Sequence, residues 1–155
     1  MIAAVFADSH GSTELMAEAV RRCRPDAIIH LGDYERDAFA LREEFPHIPF
    51  YNVCGNCDMA QLSPITNTVQ LGPVKAFICH GHSYNVKMNL HRLYYAAQEQ
   101  GASLALFGHT HIPCNEDIGG LKLINPGSAG KGRAPTWAKL EVFDNGGVYC
   151  QILEL

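Results

Sequence analysis

The sequence lacks any long hydrophobic run. No stretch approaches the roughly 18 apolar residues of a membrane-spanning helix, which argues against a helical membrane protein. It also lacks a basic surplus: Lys and Arg number 12 against 16 Asp and Glu, for a formal net charge of −4. With no block of like charge either, nonspecific binding to nucleic acid or to anionic membranes has no electrostatic support, and only a local basic site could serve an anion. Low-complexity tracts, internal repeats and an obvious linker are missing, so the 155 residues read as a single domain, 1–155. The apolar opening Met1–Ala7 has no basic lead-in and stops at Asp8, which argues against a secretory signal and for a cytoplasmic protein. The six cysteines are too sparse for a disulfide-stapled miniprotein. Cys54-Gly55-Asn56-Cys57 matches C-x-x-C, but no helical period follows it and no second cysteine pair exists to complete a zinc site. Buried, reduced thiols are the plain reading.

What is present is an ordinary globular composition, 47% apolar and 18% charged, with clear periodicity. Residues 2–7, 27–31 and 49–53 read as short buried strands. Between them, 13–23 and 35–45 read as helices. The first has Leu15, Ala19, Val20 and Cys23 on one side and Ser12 as N-cap; the second is stopped by Pro46. This β-α-β-α-β order implies parallel strands under covering helices. In the second half, 67–71 and 74–79 read as a hairpin around Gly72-Pro73, 87–99 as a helix, and 103–107 as a strand. Residues 115–124 hold a turn at Gly119-Gly120 and a short strand, and 137–143 with 148–154 form an antiparallel hairpin. Two mixed sheets facing each other, with helices outside, are expected.

The chemistry gathers just beyond the apolar strands. Asp8-Ser9-His10, Gly32-Asp33, Gly55-Asn56-Cys57-Asp58, His80-Gly81-His82 and Gly108-His109-Thr110-His111 each follow one. Ligands of open α/β sheets bind beyond the carboxyl ends of strands, so these five segments can meet in one crevice. Residues i and i+2 of extended chain share a side, so Asp8 with His10, and His109 with His111, could each converge on one place. The glycines before Asp33, Asn56 and His109 permit close backbone approach. Carboxylate, imidazole and amide donors suit first-row divalent ions, and there are more candidates than one ion needs. Taken singly, a D-x-H is often a strand-end cap and a Gly-Asp a turn; in this order, together, they read as a metal site.

These five segments resemble the motif set of the calcineurin-like metallophosphoesterase superfamily. The Gly-Asn-Cys-Asp variant and Ile124-Asn125-Pro126-Gly127-Ser128 are similar to its small bacterial and archaeal phosphodiesterase branch. The resemblance implies a four-layer α/β/β/α sandwich of two mixed sheets. It implies that Asp8, His10 and His111 hold one divalent ion, that Asn56, His80 and His109 hold the other, and that Asp33 bridges them. Asp33, Asn56, His80 and His109 would then be the residues closest to the chemistry. Mn, Fe, Ni, Co and Zn all suit the donors, with Mn favoured. Two such ions roughly 3.5–4 Å apart can clamp the attacking and leaving oxygens of an in-line displacement and supply hydroxide near neutral pH. The implied reaction is hydrolysis of a small phosphate ester, a diester foremost, with a phosphomonoesterase or a nuclease as alternatives. Another class is represented by a eukaryotic retromer subunit of similar fold, which works in protein assembly with a degraded metal set. Relatives also suggest a homo-oligomer.

Cys57 stands where many members of the superfamily carry His. A thiol with an ordinary pKa near 8.5 protonates a leaving group less well, so good leaving groups should be favoured; the alternative for Cys57 is a small packing residue. Asp58 reads as an orienting partner of a ligand or as a loop cap. His82 could contact substrate. Ser128 sits in a turn near the site and could touch phosphate, while Lys131 and Arg133 read as an anion attractor or as solvated surface. His30, His47 and His91 receive no chemistry, and Tyr94-Tyr95 reads as packing or an interface.

Overall fold

The computed structural model describes residues 1–130, 132 and 134–155. Lys131 and Arg133, which read as an anion attractor or as solvated surface, lie outside the described residues. Strands β1 (Ile2–Phe6), β2 (Ala27–His30) and β3 (Phe50–Asn52) alternate with helices α1 (Thr13–Cys23) and α2 (Glu35–Glu44). They are followed by β4 (Thr66–Leu71), β5 (Val74–Cys79), α3 (His91–Glu99), β6 (Leu104–Leu106), β7 (Cys114–Ile118), β8 (Leu121–Asn125), β9 (Thr136–Val142) and β10 (Val148–Glu154). One five-stranded sheet has the order β10-β9-β1-β2-β3 and the other β4-β5-β6-β8-β7. Each is mixed: β1-β2-β3 and β5-β6-β8 run parallel, and the remaining pairings are antiparallel.

The layers follow from the two-residue period of a strand. In β1 and the residue after it, Ala3, Val5 and Ala7 face the second sheet, meeting Leu71, Ile78, Leu104 and Leu106 in the central core. Ala4 and Phe6 point the other way, onto Met16, Ala17 and Val20 of α1 and Leu41 of α2. On the far side, Phe77, Cys79, Ala105 and Phe107 cover Leu93 and Ala97 of α3. The result is the expected α/β/β/α sandwich. The central strands of both sheets are apolar on both faces, as strands covered on each side must be.

Local expectations shift in four places. The buried face of α1 is Met16, Ala17, Ala19 and Val20, with Leu15 turned outward at 38% exposure. Ser12 occupies the N-cap position, but its side chain makes no capping bond. The helix expected from residue 87 begins at His91, because Asn85 takes a left-handed conformation and the Asn89 side chain accepts the His91 N–H. Residues 115–124 belong to a complete hairpin. Its β7 strand is carried by pairing with the apolar β8, although Asn115, Glu116 and Asp117 are poor strand formers.

This topology places the carboxyl ends of β1, β2 and β3 in one sheet beside those of β5 and β6 in the other. The loops are seamed by backbone bonds, Asp8 N–H to the Gly32 carbonyl (3.0 Å) and Gly108 N–H to the His80 carbonyl (2.9 Å). Gly32 has φ +89°, and a Cβ there would lie 2.6 Å from the Gly55 nitrogen. A Cβ on Gly55 would lie 2.1 Å from Asp33 Oδ1, so the loop after β3 reaches Asp33 only without a side chain at this position.

Candidate metal centre

Five of the candidate ligands adopt positive φ: Asp8 (53°), His10 (45°), Asp33 (61°), His109 (68°) and His111 (59°). The left-handed region costs a non-glycine residue about 1 kcal/mol or more, and such strain collects where side chains must be aimed. These segments are therefore turns, and the extended i, i+2 argument does not describe them. His111 lies with Asp8 and His10, its Nε2 3.1 Å from Asp8 Oδ1, while the ring of His109 sits 5.1 Å from that of His80. The two histidines of Gly-His-Thr-His thus diverge to different partners.

Two donor groups form, each with mutually accessible atoms within 4.8 Å: Asp8, His10 and His111, and Asp8, Asp33 and His80. Asp8, fully buried, is the carboxylate that both groups contain; Asp33, 3% exposed, belongs to the second. Asn56 Oδ1 lies 3.1 Å from His80 Nε2, and Asp33 Oδ1 lies 3.5 Å from the same nitrogen.

The donor chemistry fits a divalent cation. His80 Nδ1 is 2.8 Å from the Leu31 carbonyl, an acceptor only, so this nitrogen carries the proton. Burial pushes the His80 imidazole down despite the Asp33 carboxylate, which leaves Nε2 with a lone pair at neutral pH. That lone pair faces an amide oxygen and a carboxylate. Three acceptors aimed at one place are electrostatically unfavourable without a cation and suited to one. Burial likewise pushes His109 down to about 4, aided by His80 and Lys87, so it too is neutral and able to ligate. Asp33 is penalised by burial, but the electrostatic pull of the neighbouring His80 imidazole and the Cys57 hydrogen bonds outweigh this and hold it below the usual carboxylate range.

Several side chains hold the turns. Asp58 is 8% exposed, and its carboxylate accepts the backbone N–H groups of Asp33 (3.0 Å), Gly55 (2.8 Å) and Glu35 (2.8 Å), tying the β2 and β3 loops together. Ser128 is buried, and its hydroxyl donates to the Asp8 carbonyl at 2.8 Å, which places it under the Asp8 turn. Cys57 is exposed; its N–H donates to Asp33 Oδ1 at 2.9 Å, and the thiol lies 3.5 Å from the Asn56 amide nitrogen. A buried packing role is thereby ruled out for it, and Cys54, not Cys57, is the buried member of the pair. His82 follows His80 in a short 3-10 turn, its ring 5.4 Å from His80 and 6.2 Å from His109.

Sequence reasoning passed over a second layer. His30 Nδ1 accepts the Gly32 N–H at 3.3 Å, so its Nε2–H donates to Ser9 Oγ (3.1 Å), and Ser9 donates to Asp37 Oδ2 (2.8 Å). Asp37 also accepts the Gly11 N–H, bracing the turn that carries His10. Asn125 donates to the Gly108 carbonyl (2.8 Å) and Thr110 Oγ1 (3.1 Å), bracing the turn that carries His109. The signal for His30 was available: a polar residue inside the apolar run 27–31 must find partners when buried.

The chain as a whole has counterparts among known proteins. Residues 1–144 match the calcineurin-like phosphoesterase superfamily domain. The probable metallophosphoesterase YsnB of Bacillus subtilis (strain 168) is 36% identical over 127 residues, 80% of this chain and 72% of that protein. A conserved protein of Streptococcus pneumoniae TIGR4, described as a predicted phosphoesterase, superposes with TM-score 0.79 at 29% identity, over 99% of this chain and 97% of that one. At 20% identity the fold is shared with a zinc complex of Vps29 from Entamoeba histolytica (TM-score 0.76; 99% of each chain). It is shared equally with an archaeal phosphodiesterase (TM-score 0.77; 99% of this chain and 100% of that one). Among the described residues no helix is long and apolar enough to cross a membrane. By sequence match and by fold, this chain belongs to the calcineurin-like phosphoesterase superfamily, a metal-dependent family of phosphoester hydrolases.

Proposed function

We propose that this protein hydrolyses small phosphodiesters with two divalent ions. Asp8, His10 and His111 would hold one, Asn56, His80 and His109 the other, and Asp33 would lie between them. One observation carries the reading: two adjoining donor groups from separate loops, Asp8 with His10 and His111, and Asp8 with Asp33 and His80, each lie within mutual reach of an ion, and Asp8, Asp33 and His80 are buried. Buried carboxylates are costly unless paired or coordinated to metal.

When bound, the ions would acidify a coordinated water and neutralise charge on the phosphoryl oxygens. The chain does the rest. The Leu31 carbonyl holds the His80 proton on Nδ1, so that Nε2 stays a ligand. Asp58 and the Cys57 N–H fix Asp33 from both sides, and preorganisation spares the site rearrangement during reaction. The Cys57 thiol, beside Asn56 and exposed, would assist a departing oxygen weakly.

The test is Mn²⁺-dependent hydrolysis of bis(p-nitrophenyl) phosphate against p-nitrophenyl phosphate, with metal analysis of protein purified without chelator. Fe, Ni, Co and Zn complete the metal panel. Asp33→Asn should lower kcat/KM about a hundredfold or more. Absence of both metal uptake and turnover would sink the proposal and favour the assembly role seen elsewhere in this fold.

A further inference from the structure

A groove of about 450 Å³ opens beside the metal centre and shares His10 and Cys57 with it. Its other walls are chemically distinctive. Tyr34, Phe39, Met59 and Leu62 make it apolar, with Met59 fully exposed and Leu62 73% exposed. The Arg36 guanidinium lies 5.0 Å over the Tyr34 ring, and that ring packs edge-on to His10 at 4.7 Å. Glu35 and Asp58 also border the groove, but their carboxylates are engaged by backbone N–H groups, of Leu62 and Ser63 for the first and of Asp33, Gly55 and Glu35 for the second. The groove therefore offers a ligand aromatic and aliphatic surface and one guanidinium.

Tyr34 adds an independent sign. It has φ 72° and ψ 61°, the left-handed conformation, at the start of α2. Glycine or asparagine adopts this backbone at little cost, whereas a bulky aromatic there is an outlier. The strain is borne at a position that sets a ring between the candidate ligand His10 and the open groove.

We infer that the groove receives the aromatic substituent of the phosphoester, an aryl ring or a nucleobase, stacked against Tyr34 and Arg36 with Met59 and Leu62 flanking it. Aromatic rings and guanidinium planes stack on planar π-systems with little regard to their edge pattern, so both kinds of ring share this chemistry. A phosphate at His10 would direct one substituent past Tyr34. The inference rests on the phosphoesterase reading for its phosphate anchor.

Calorimetric titration with methyl phosphate, phenyl phosphate and thymidine 5′-phosphate, with and without Mn²⁺, tests it. At least one aromatic ester should bind about tenfold tighter than methyl phosphate, about 1.4 kcal/mol. Tighter binding of the nucleotide than of phenyl phosphate would identify a nucleobase; equal binding would identify an aryl ring. Tyr34→Asn, which suits the left-handed backbone, and Leu62→Ser, at an exposed position, should each lower the aromatic-to-methyl ratio at least threefold, with thermal midpoints confirming the fold. Equal affinity for all three ligands, no binding of any, or a ratio unchanged in both variants would overturn the inference. Selective binding without turnover would remove the hydrolase reading and leave the groove assigned; turnover without selectivity would do the reverse.

Discussion

Removal of the Asp58 carboxylate is the sharpest probe of how this site is held. The two oxygens accept three backbone N–H groups from two loops, all at 2.8–3.0 Å, in a residue only 8% exposed. A hydrogen bond to a charged group is worth about 1.5–3 kcal/mol net, which would sum to roughly 5–9 kcal/mol if the three were independent. They share one carboxylate, and the neighbouring Asn56 and Cys57 are exposed, so water can reach part of the gap. We expect Asp58→Ala to cost about 3–5 kcal/mol, a large fraction of the 5–15 kcal/mol typical of a domain. Asp58→Asn keeps one acceptor oxygen and turns an N–H₂ toward a backbone donor, so it should cost about half as much. Urea unfolding of metal-free protein measures both. Because Asp58 positions the Asp33 backbone, Mn²⁺ affinity should fall about 10–100-fold in Asp58→Ala. A stability loss under about 1 kcal/mol with unchanged metal affinity would show that the loops are held by something else.

Three further outcomes follow from the same geometry. Burial pushes the His30 imidazole down to about 4, against Asp37 and Asp58, which pull it up. The unfolded chain, with an ordinary His value near 6.5, takes up the proton first, so the contribution of His30, present above pH 6.5, should decline by about 3 kcal/mol between pH 6.5 and 4. In chelated protein His80 and His109 add to the fall in denaturant midpoint across this window, so His30→Gln should make it shallower by about that amount; identical pH profiles would contradict the assignment. Gly55→Ala should abolish tight metal binding, because its Cβ would overlap Asp33 Oδ1, and titration with Mn²⁺ reads this directly. Activated aryl diesters should turn over faster than alkyl diesters, and Cys57→His should narrow the gap, since imidazole is the better proton donor near neutral pH; equal wild-type rates on the two classes would remove Cys57 from the reaction.

The strands were legible because their side-chain alternation is local. Ala3, Val5 and Ala7 against Ala4 and Phe6 is a two-residue pattern that any buried strand must show, and strand ends rich in Asp, His and Asn stand out against it. The α1 face was misjudged because α1 packs beneath a sheet and beside α2 and the chain terminus. Which of Leu15 and Met16 is buried depends on that packing, not on period alone. Turn geometry was harder to read. Left-handed Asp8, His10, His109 and His111 replace the extended chain that spacing suggested, because Asp37, Asn125 and Ser128 brace those turns from 15 or more residues away in sequence.

By itself the sequence determined which elements form, which residues carry donor atoms, and to which family the motif set belongs, since all of these rest on local periodicity or residue identity. Only the tertiary structure decided that His109 and His111 part company, that Asp8 is common to both donor groups, that Asp58 and His30 are supports, and that an apolar groove runs off His10. Those facts depend on distances between loops of two different sheets, and such distances are set by packing across the core, which no short window of sequence contains.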